Sequence, residues 1–299
     1  MFGQITIIGF GLIGSSIARG VLENNLCDKL ICVDKSESVC ETVAKLGIAH
    51  HAYTDVAQGV KGSDLVILCV PVGIIGDVAA QIAPHLKDGC IVSDAGSVKK
   101  AVIDNVMDKL PDTAHFVPAH PLAGTEFSGP EHGFAALFHD RWCVLTPLPA
   151  TALKAIEKIT HLWEALGSRV EIMDAEHHDL VLGITSHLPH LIAYTIVGTA
   201  TDLEEDIKSE VVKFSATGFR DFTRIAASDP TMWRDVFLTN KTAVLEMLQR
   251  FTEDLTALQK AIRKEDGEYL YKHFSNTRDI RRAIVDAGQA DYVYPKDEK

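Results

Sequence analysis

The stretch that most constrains this chain is Gly9-Phe10-Gly11-Leu12-Ile13-Gly14, because of what flanks it. A short β-branched apolar run, Gln4 to Ile8, leads straight into it, and a helical pattern with Ile13, Ile17, Ala18, Val21 and Leu22 on one face follows. Such a run reads as a buried parallel strand and such spacing as an amphipathic helix. A second apolar run, Leu30-Ile31-Cys32-Val33, ends in Asp34, twenty residues after Gly14. A lone G-x-G-x-x-G is weak; one between a strand and a helix, with an acid closing the next strand, is a dinucleotide-binding fingerprint. Gly9 permits a tight turn, Gly11 lets backbone approach a pyrophosphate, and Gly14 lets helix pack on strand, with the helix N-terminus facing the phosphates. Asp34 is suited to two ribose hydroxyls and repels a 2′-phosphate, so the cofactor expected is NAD rather than NADP.

Strand and helix patterns alternate from there to about Met173. Leu65 to Val70 is the plainest parallel strand, and Pro71 ends it, so Val70 and Pro71 join Gly9, Phe10, Gly11, Leu12, Ile13, Gly14, Asp34 and Ser97 as expected cofactor-lining residues. Ser36 is placed to cap a helix running to about Leu46. Further strands are expected at 90–93, 115–117, 142–146 and 169–172, with helices over about 74–83, 97–110 and 151–166. The fold class is α/β, a Rossmann-type doubly wound parallel sheet extended at its far edge. After Met173 strand signals stop. Helices are expected over 175–201, with Pro189 forcing a kink or turn, over 231–262 as one long element, and over 267–285 from a start near Asp266. The division is therefore 1–173, nucleotide-binding, and 174–299, an all-helical substrate and dimerisation domain. Long apolar helices with no sheet to cover suit a homodimer.

Composition excludes some classes. With 46% hydrophobic and 23% charged residues the chain is ordinary for a soluble protein. A net charge of −12 argues against a nucleic-acid or anionic-membrane partner. No apolar run reaches the ~18 residues of a bilayer span, and the N-terminus enters a strand with no basic leader. The six cysteines have neither C-x-x-C pairing nor metal spacing and read as reduced, buried thiols of a cytoplasmic protein.

Ligands of open parallel sheets bind beyond the strands' carboxyl ends. His120, after the 115–117 strand, has that address and a side chain able to take a hydroxyl proton near neutral pH while hydride leaves the same carbon; the plain alternative is a capping histidine. Ser97 offers a hydroxyl to substrate or nicotinamide, or simply caps the helix that follows it. Lys99 reads as a solvated side chain. His187 and His190 share a face if helical, but no standard zinc spacing surrounds them, so no metal is expected. Arg220 and Arg224 are each suited to clamp a substrate carboxylate, or to pair with a neighbouring acid such as Asp221. Glu126 by default is a solvated loop acid.

Six blocks in order then carry a resemblance. They are Gly9–Gly14 continued by Ser15-Ser16; Asp94-Ala95-Gly96-Ser97-Val98-Lys99; His120 to Gly129; His178-Asp179; Ser186 to His190; and Gly218 to Ala226. On them the chain resembles the prephenate/arogenate dehydrogenase family over nearly its whole length. The resemblance implies a Rossmann domain, a helical dimerisation domain, and NAD-dependent oxidative decarboxylation of prephenate and/or arogenate in tyrosine biosynthesis. It implies His120 as the base on the substrate's C4 hydroxyl and Ser97 as a holder of that hydroxyl and the nicotinamide. It implies His190 and Arg224 as substrate-binding residues, Arg224 on the ring carboxylate, and Glu126 and Asp221 as acids of the surrounding network. No mutase or regulatory domain is expected. Two other classes fit the residues alone: another NAD-dependent hydroxy acid dehydrogenase, for which no matching central-helix lysine is seen, and a non-enzymatic NAD(H) sensor, against which the acidic charge speaks.

Overall fold

The computed structural model describes residues 2–125, 127–201, 210 and 213–286. Six strands, β1 (Phe2–Ile8), β2 (Cys27–Val33), β3 (His51–Tyr53), β4 (Leu65–Leu68), β5 (Ile91–Asp94) and β6 (His115–Val117), form one parallel sheet in the order β3-β2-β1-β4-β5-β6. This is the expected doubly wound order, reversing between β1 and β4, where the crevice at the strands' carboxyl ends forms. Both faces are covered, which is why the strands read as continuous apolar runs rather than alternating ones. Ile5, Ile7, Leu30, Leu65 and Ile67 bury on one side with Ile17, Val21 and Trp163; Ile8, Ile31, Val33, Val66 and Leu68 bury on the other with Val92 and Val102. The crossover helices are α1 (Leu12–Glu23), α2 (Glu37–Leu46), α3 (Val56–Val60), α4 (Ile75–Ile82) and α5 (Lys100–Val106), followed later by α6 (Leu153–Ala165). Ser36 caps α2 as expected, accepting the Val39 N–H, and Gly47 ends it at a φ of 65°. β3 and α3 are too short to have stood out as sequence patterns.

The far edge departs from the expectation of a single extended sheet. Pro118 has no N–H to continue the ladder of β6 beside β5. The chain instead starts a second sheet of β7 (Ala119–Pro121), β8 (Trp142–Leu145) and β9 (Arg169–Ile172), in which β7 runs antiparallel to β8 and β8 parallel to β9. The Pro118 carbonyl accepts the Thr146 N–H at 3.0 Å, which joins the two sheets just before His120.

Beyond the second sheet the described chain is helical. α7 (Ala175–Leu182) passes through a π-helical turn, Gly183–His187, into α8 (Leu188–Thr201). The wide turn ends where Pro189 has no N–H to give, so proline is accommodated by a change of helical winding. By length and composition Ala175–Thr201 is apolar enough to cross a membrane, and most of its apolar stretch is uncovered among the described residues. The sequence count of apolar runs missed it because histidines interrupt them. α9 (Thr217–Thr223) and α10 (Pro230–Thr239) follow, and then α11 (Lys241–Arg263) and α12 (Gly267–Asp286). The single helix expected over 231–262 is thus two, broken at Asn240, whose side chain is needed elsewhere. The described residues up to Val244 pack as one compact unit and those from Leu245 as a second. In the second, Asp266 caps α12 through the Tyr269 N–H, and Tyr271, Phe274 and Ile280 stand exposed. All six cysteines are free thiols, four of them buried.

Candidate functional site

The glycine turn has the geometry its spacing predicts. Gly9 sits at a φ of 93°, and a Cβ there would lie 2.6 Å from the Cys69 carbonyl oxygen, against the end of β4. A Cβ on Gly14 would lie 2.0 Å from the Gly9 oxygen, so α1 packs on the turn only because Gly14 has no side chain. A Cβ on Gly11 would meet nothing within 4 Å: the backbone faces open space there. The first turn of α1 has no side-chain cap, leaving N–H groups for an anion. Phe10 donates its N–H to Asp34 Oδ2 at 2.9 Å and Ser36 donates to Oδ1 at 3.0 Å, fixing the carboxylate at the tip of β2 beside the glycine turn. Val70 and Pro71 leave β4 next to Gly9, whose Cβ would touch Val70 at 3.0 Å. These residues fit a dinucleotide: an open backbone approach, free helix N–H groups and an acid placed for ribose.

His120 lies in β7 and is 8% exposed. Its Nδ1 is 2.8 Å from His178 Nε2, and His178 Nδ1 is 2.8 Å from Asp179 Oδ1. Both His178 and Asp179 come from α7. Burial, then the neighbouring His178, Lys99 and His187, hold the His120 pKa well below its ordinary 6.5. Burial also lowers His178, against the pull of Asp179. Both rings are therefore neutral at neutral pH, and Nε2 of His120 is the nitrogen left for chemistry.

Ser97 is half-buried in the loop between β5 and α5. It is not the cap of α5, which begins at Lys100. That helix is capped by Asp179, which accepts the Lys99 N–H at 2.8 Å on Oδ1 and the Lys100 N–H at 2.9 Å on Oδ2. The Ser97 hydroxyl makes no hydrogen bond among the described residues. Lys99 overturns its reading as a solvated side chain. It is fully buried, pairs with the fully buried Asp94, and donates to the Ala119 carbonyl at 2.7 Å. Asp94 in turn accepts the Gly96 N–H at 2.8 Å and the Ala119 N–H at 3.2 Å. This ion pair ties the Ser97 loop to the strand that carries His120.

The π-helical turn delivers His187 and the start of α8 delivers His190. Asn240 donates through its amide nitrogen both to the Asp179 carbonyl, at 2.8 Å, and to His187 Nδ1, at 3.0 Å. His187 Nδ1 is thereby an acceptor and its proton sits on Nε2, a buried donor with no partner among the described residues. Burial pushes the His187 pKa down to about 4. His190 donates Nδ1–H to the Ser186 carbonyl at 2.8 Å and stacks on Trp233 with ring centroids 3.6 Å apart. Burial lowers its pKa, Ser186 raises it, and the Arg224 charge lowers it, which places Arg224 near the ring. Arg224 follows α9 at the start of a short 3-10 turn. The Tyr194 hydroxyl, donating to the Ser228 carbonyl at 2.9 Å, holds that segment to α8.

The structure thus brings His187 near His120 and sets His187 and His190 both against Trp233, with Arg224 near His190. Asp221 is exposed on α9, and no hydrogen bond or ion pair among the described residues joins it to the histidines. Glu126 lies outside the described residues. Sequence reasoning gave no catalytic or positioning role to Lys99, Asp94, His178, Asp179 or Asn240. The His178-Asp179 pair and the Asp94–Lys99 block were visible as motifs; Asn240 left no signal at all.

Comparison with known proteins identifies the family. The family model described as prephenate dehydrogenase, nucleotide-binding domain, matches residues 17–172, and that described as prephenate dehydrogenase, dimerization domain, matches 174–276. A cyclohexadienyl dehydrogenase of Zymomonas mobilis is 45% identical, over 95% of this chain and 97% of its own. A prephenate dehydrogenase of Bacillus subtilis is 32% identical, over 95% of this chain and 76% of its own. The crystal structure of prephenate dehydrogenase from A. aeolicus in complex with hydroxyphenyl propionate and NAD+ superposes with a TM-score of 0.89 at 32% identity, covering 95% of this chain and 99% of that one. The chain belongs to the prephenate dehydrogenase family.

Proposed function

We propose that this chain catalyses the NAD-dependent oxidative decarboxylation of a cyclohexadienyl acid, prephenate or arogenate or both, giving 4-hydroxyphenylpyruvate or tyrosine. The observation that carries it is a neutral, buried His120, held through Nδ1 and free at Nε2, beside the crevice of a dinucleotide-binding sheet. Gly9, Phe10, Gly11, Leu12, Ile13, Gly14, Asp34, Val70, Pro71 and Ser97 would hold the cofactor, and Asp34 selects NAD over NADP. Bound there, the nicotinamide supplies the hydride acceptor. His120 Nε2 draws the proton from the C4 hydroxyl, C4 becomes a carbonyl carbon as its hydride leaves, and a dienone results. The ring carboxylate departs as CO2, and the electrons of its bond complete the aromatic ring. The phenolate oxygen so formed retakes the proton from His120. No further acid is required, since the dienone is the electron sink.

Ser97 orients the C4 hydroxyl, Arg224 takes the ring carboxylate as a charge-assisted pair, and His190, braced on Trp233, contacts the substrate. By the family resemblance, Glu126 and Asp221 would add acids around the substrate. The functional division falls at 173/174, the helical half pairing two copies into a homodimer through faces left exposed in one chain. The setting is cytoplasmic.

Following NADH absorbance with prephenate, arogenate and a 3-hydroxy acid, each with NAD and NADP, tests the reading. Turnover of a cyclohexadienyl acid with NAD supports it; turnover of the 3-hydroxy acid alone defeats it. Arg224→Ala should raise KM by about tenfold to a hundredfold, the range of a lost charged hydrogen bond, with a smaller change in kcat. An unchanged KM would move the clamp to Arg220. The pH profile has a worked sign. Because His120 is held below 6.5, the base stays unprotonated as pH falls through the ordinary imidazole range. The acid limb of kcat/KM should therefore lie clearly below that range, and a midpoint at or above 6.5 would contradict the assignment.

A further inference from the structure

Asp179 is 5% exposed and accepts three N–H groups: two from the backbone at the start of α5 and one from His178. Its two oxygens thus serve two elements. One is the helix start that follows Ser97 by two residues, 79 and 80 positions away in sequence. The other is the ring that touches the proposed base.

The hydrogen positions along this line follow from donor and acceptor rules. Asp179 Oδ1 is an acceptor, since it already receives the Lys99 N–H, so His178 Nδ1 must carry the proton that faces it. A neutral imidazole with hydrogen on Nδ1 has its lone pair on Nε2. That lone pair receives from His120 Nδ1, which must then be protonated, and His120 Nε2 is left bare. The availability of the base nitrogen is thus decided two links away.

We propose that His178 and Asp179 are positioning residues for the reaction: they write the tautomer of His120, and through the cap on α5 Asp179 keeps the Ser97 turn in register with it. The inference rests on the reading of His120 as the base. Asp179→Ala makes the point chemically. Nothing then accepts the His178 Nδ1 proton, and the ring returns to the ordinary imidazole preference for hydrogen on Nε2. His120 Nδ1 becomes an acceptor in turn and the proton moves to His120 Nε2, where it blocks base chemistry. His178→Gln behaves oppositely. Its amide nitrogen can donate to Asp179 while its oxygen accepts from His120, so the original order is kept. His178→Leu keeps neither bond.

The test uses the full chain with 15N-labelled histidine, the His120 signals being those lost in His120→Asn. In the wild type Nδ1 of His120 should be protonated and Nε2 bare; in Asp179→Ala hydrogen should appear on Nε2, a readout that needs neither cofactor nor substrate. In turnover, Asp179→Ala and His178→Leu should lose kcat by about 10² or more, up to the full worth of a general base. His178→Gln should recover at least a tenth of the wild-type kcat. Substrate affinity by tryptophan fluorescence should move less than about threefold. An unchanged His120 tautomer in Asp179→Ala, or kcat kept within threefold, would overturn the proposal. So would equal losses in His178→Gln and His178→Leu, which would mean packing alone. If the wild type turned over no cyclohexadienyl acid, the functional reading would fall while the tautomer measurement still decided this one.

Discussion

Replacing His120 by asparagine is expected to cut kcat by about 10² to 10⁴-fold, the usual worth of a general base, with the substrate's dissociation constant nearly unchanged. The asparagine amide nitrogen takes up the place of Nδ1 and can still donate to His178 Nε2, so the buried line to Asp179 stays satisfied. What disappears is the lone pair at the Nε2 position, for which an amide has no substitute. The loss should therefore fall on the step rather than on binding. It should also be non-additive: His178→Leu added to His120→Asn should cost little more, because the second change acts through a nitrogen the first has removed. Steady-state kinetics with fluorescence titration of the substrate separates the two effects. Wild-type kcat in this variant would remove His120 from the chemistry.

Lys99→Met is expected to give the largest loss of stability of any change considered. Lys99 and Asp94 are both fully buried, and removing one partner of such a pair typically costs about 3–5 kcal/mol, because the other charge stays in a poorly polarisable interior. Asp94 would retain its hydrogen bonds from Gly96 and Ala119, which lessen the penalty without cancelling the charge. In a unit of this size that corresponds to a fall of roughly 6–20 °C in melting temperature. Adding Asp94→Asn should restore much of the loss, since the stranded charge is then gone. Calorimetry on the single and double variants checks this. A Lys99→Met protein within about 1 kcal/mol of wild type would mean that water reaches the pair. The two variants also probe different links: the first leaves the fold and stops the chemistry, while the second loosens the joint between the Ser97 loop and the His120 strand.

The nucleotide half was legible because its signals are local. A buried parallel strand, a glycine turn and an acid at the next strand's end each leave a mark within a few residues, and β1, α1 and β2 stand where those marks put them. Where local marks conflicted with packing, packing won. The sheet stopped at Pro118 because the ladder lost a donor, although the 142–145 and 169–172 runs look like more of the same sheet. The long helical pattern after 230 hid a break, because Asn240 is tolerable in a helix and its reason for leaving it lies at Asp179 and His187. The same distance explains why the cap alternative for Ser97 fails and why Lys99 was misread. Ser97 has the right chemistry for a cap, but the cap arrives from α7. Lys99 looks like any surface lysine until the helix that follows β5 folds it against Asp94. His120, Ser97, His190 and Arg224 were nameable from their motifs; the wiring that joins His120 to Asp179 became readable only when α7 was placed across the start of α5.

The most direct test of the account is to measure CO2 and NADH together in one reaction, with prephenate and with arogenate, for the wild type and for His120→Asn. The account predicts equal amounts of the two products from at least one of the substrates in the wild type, and loss of both in step in the variant. NADH formed without CO2, or a variant that matches the wild type, would contradict it.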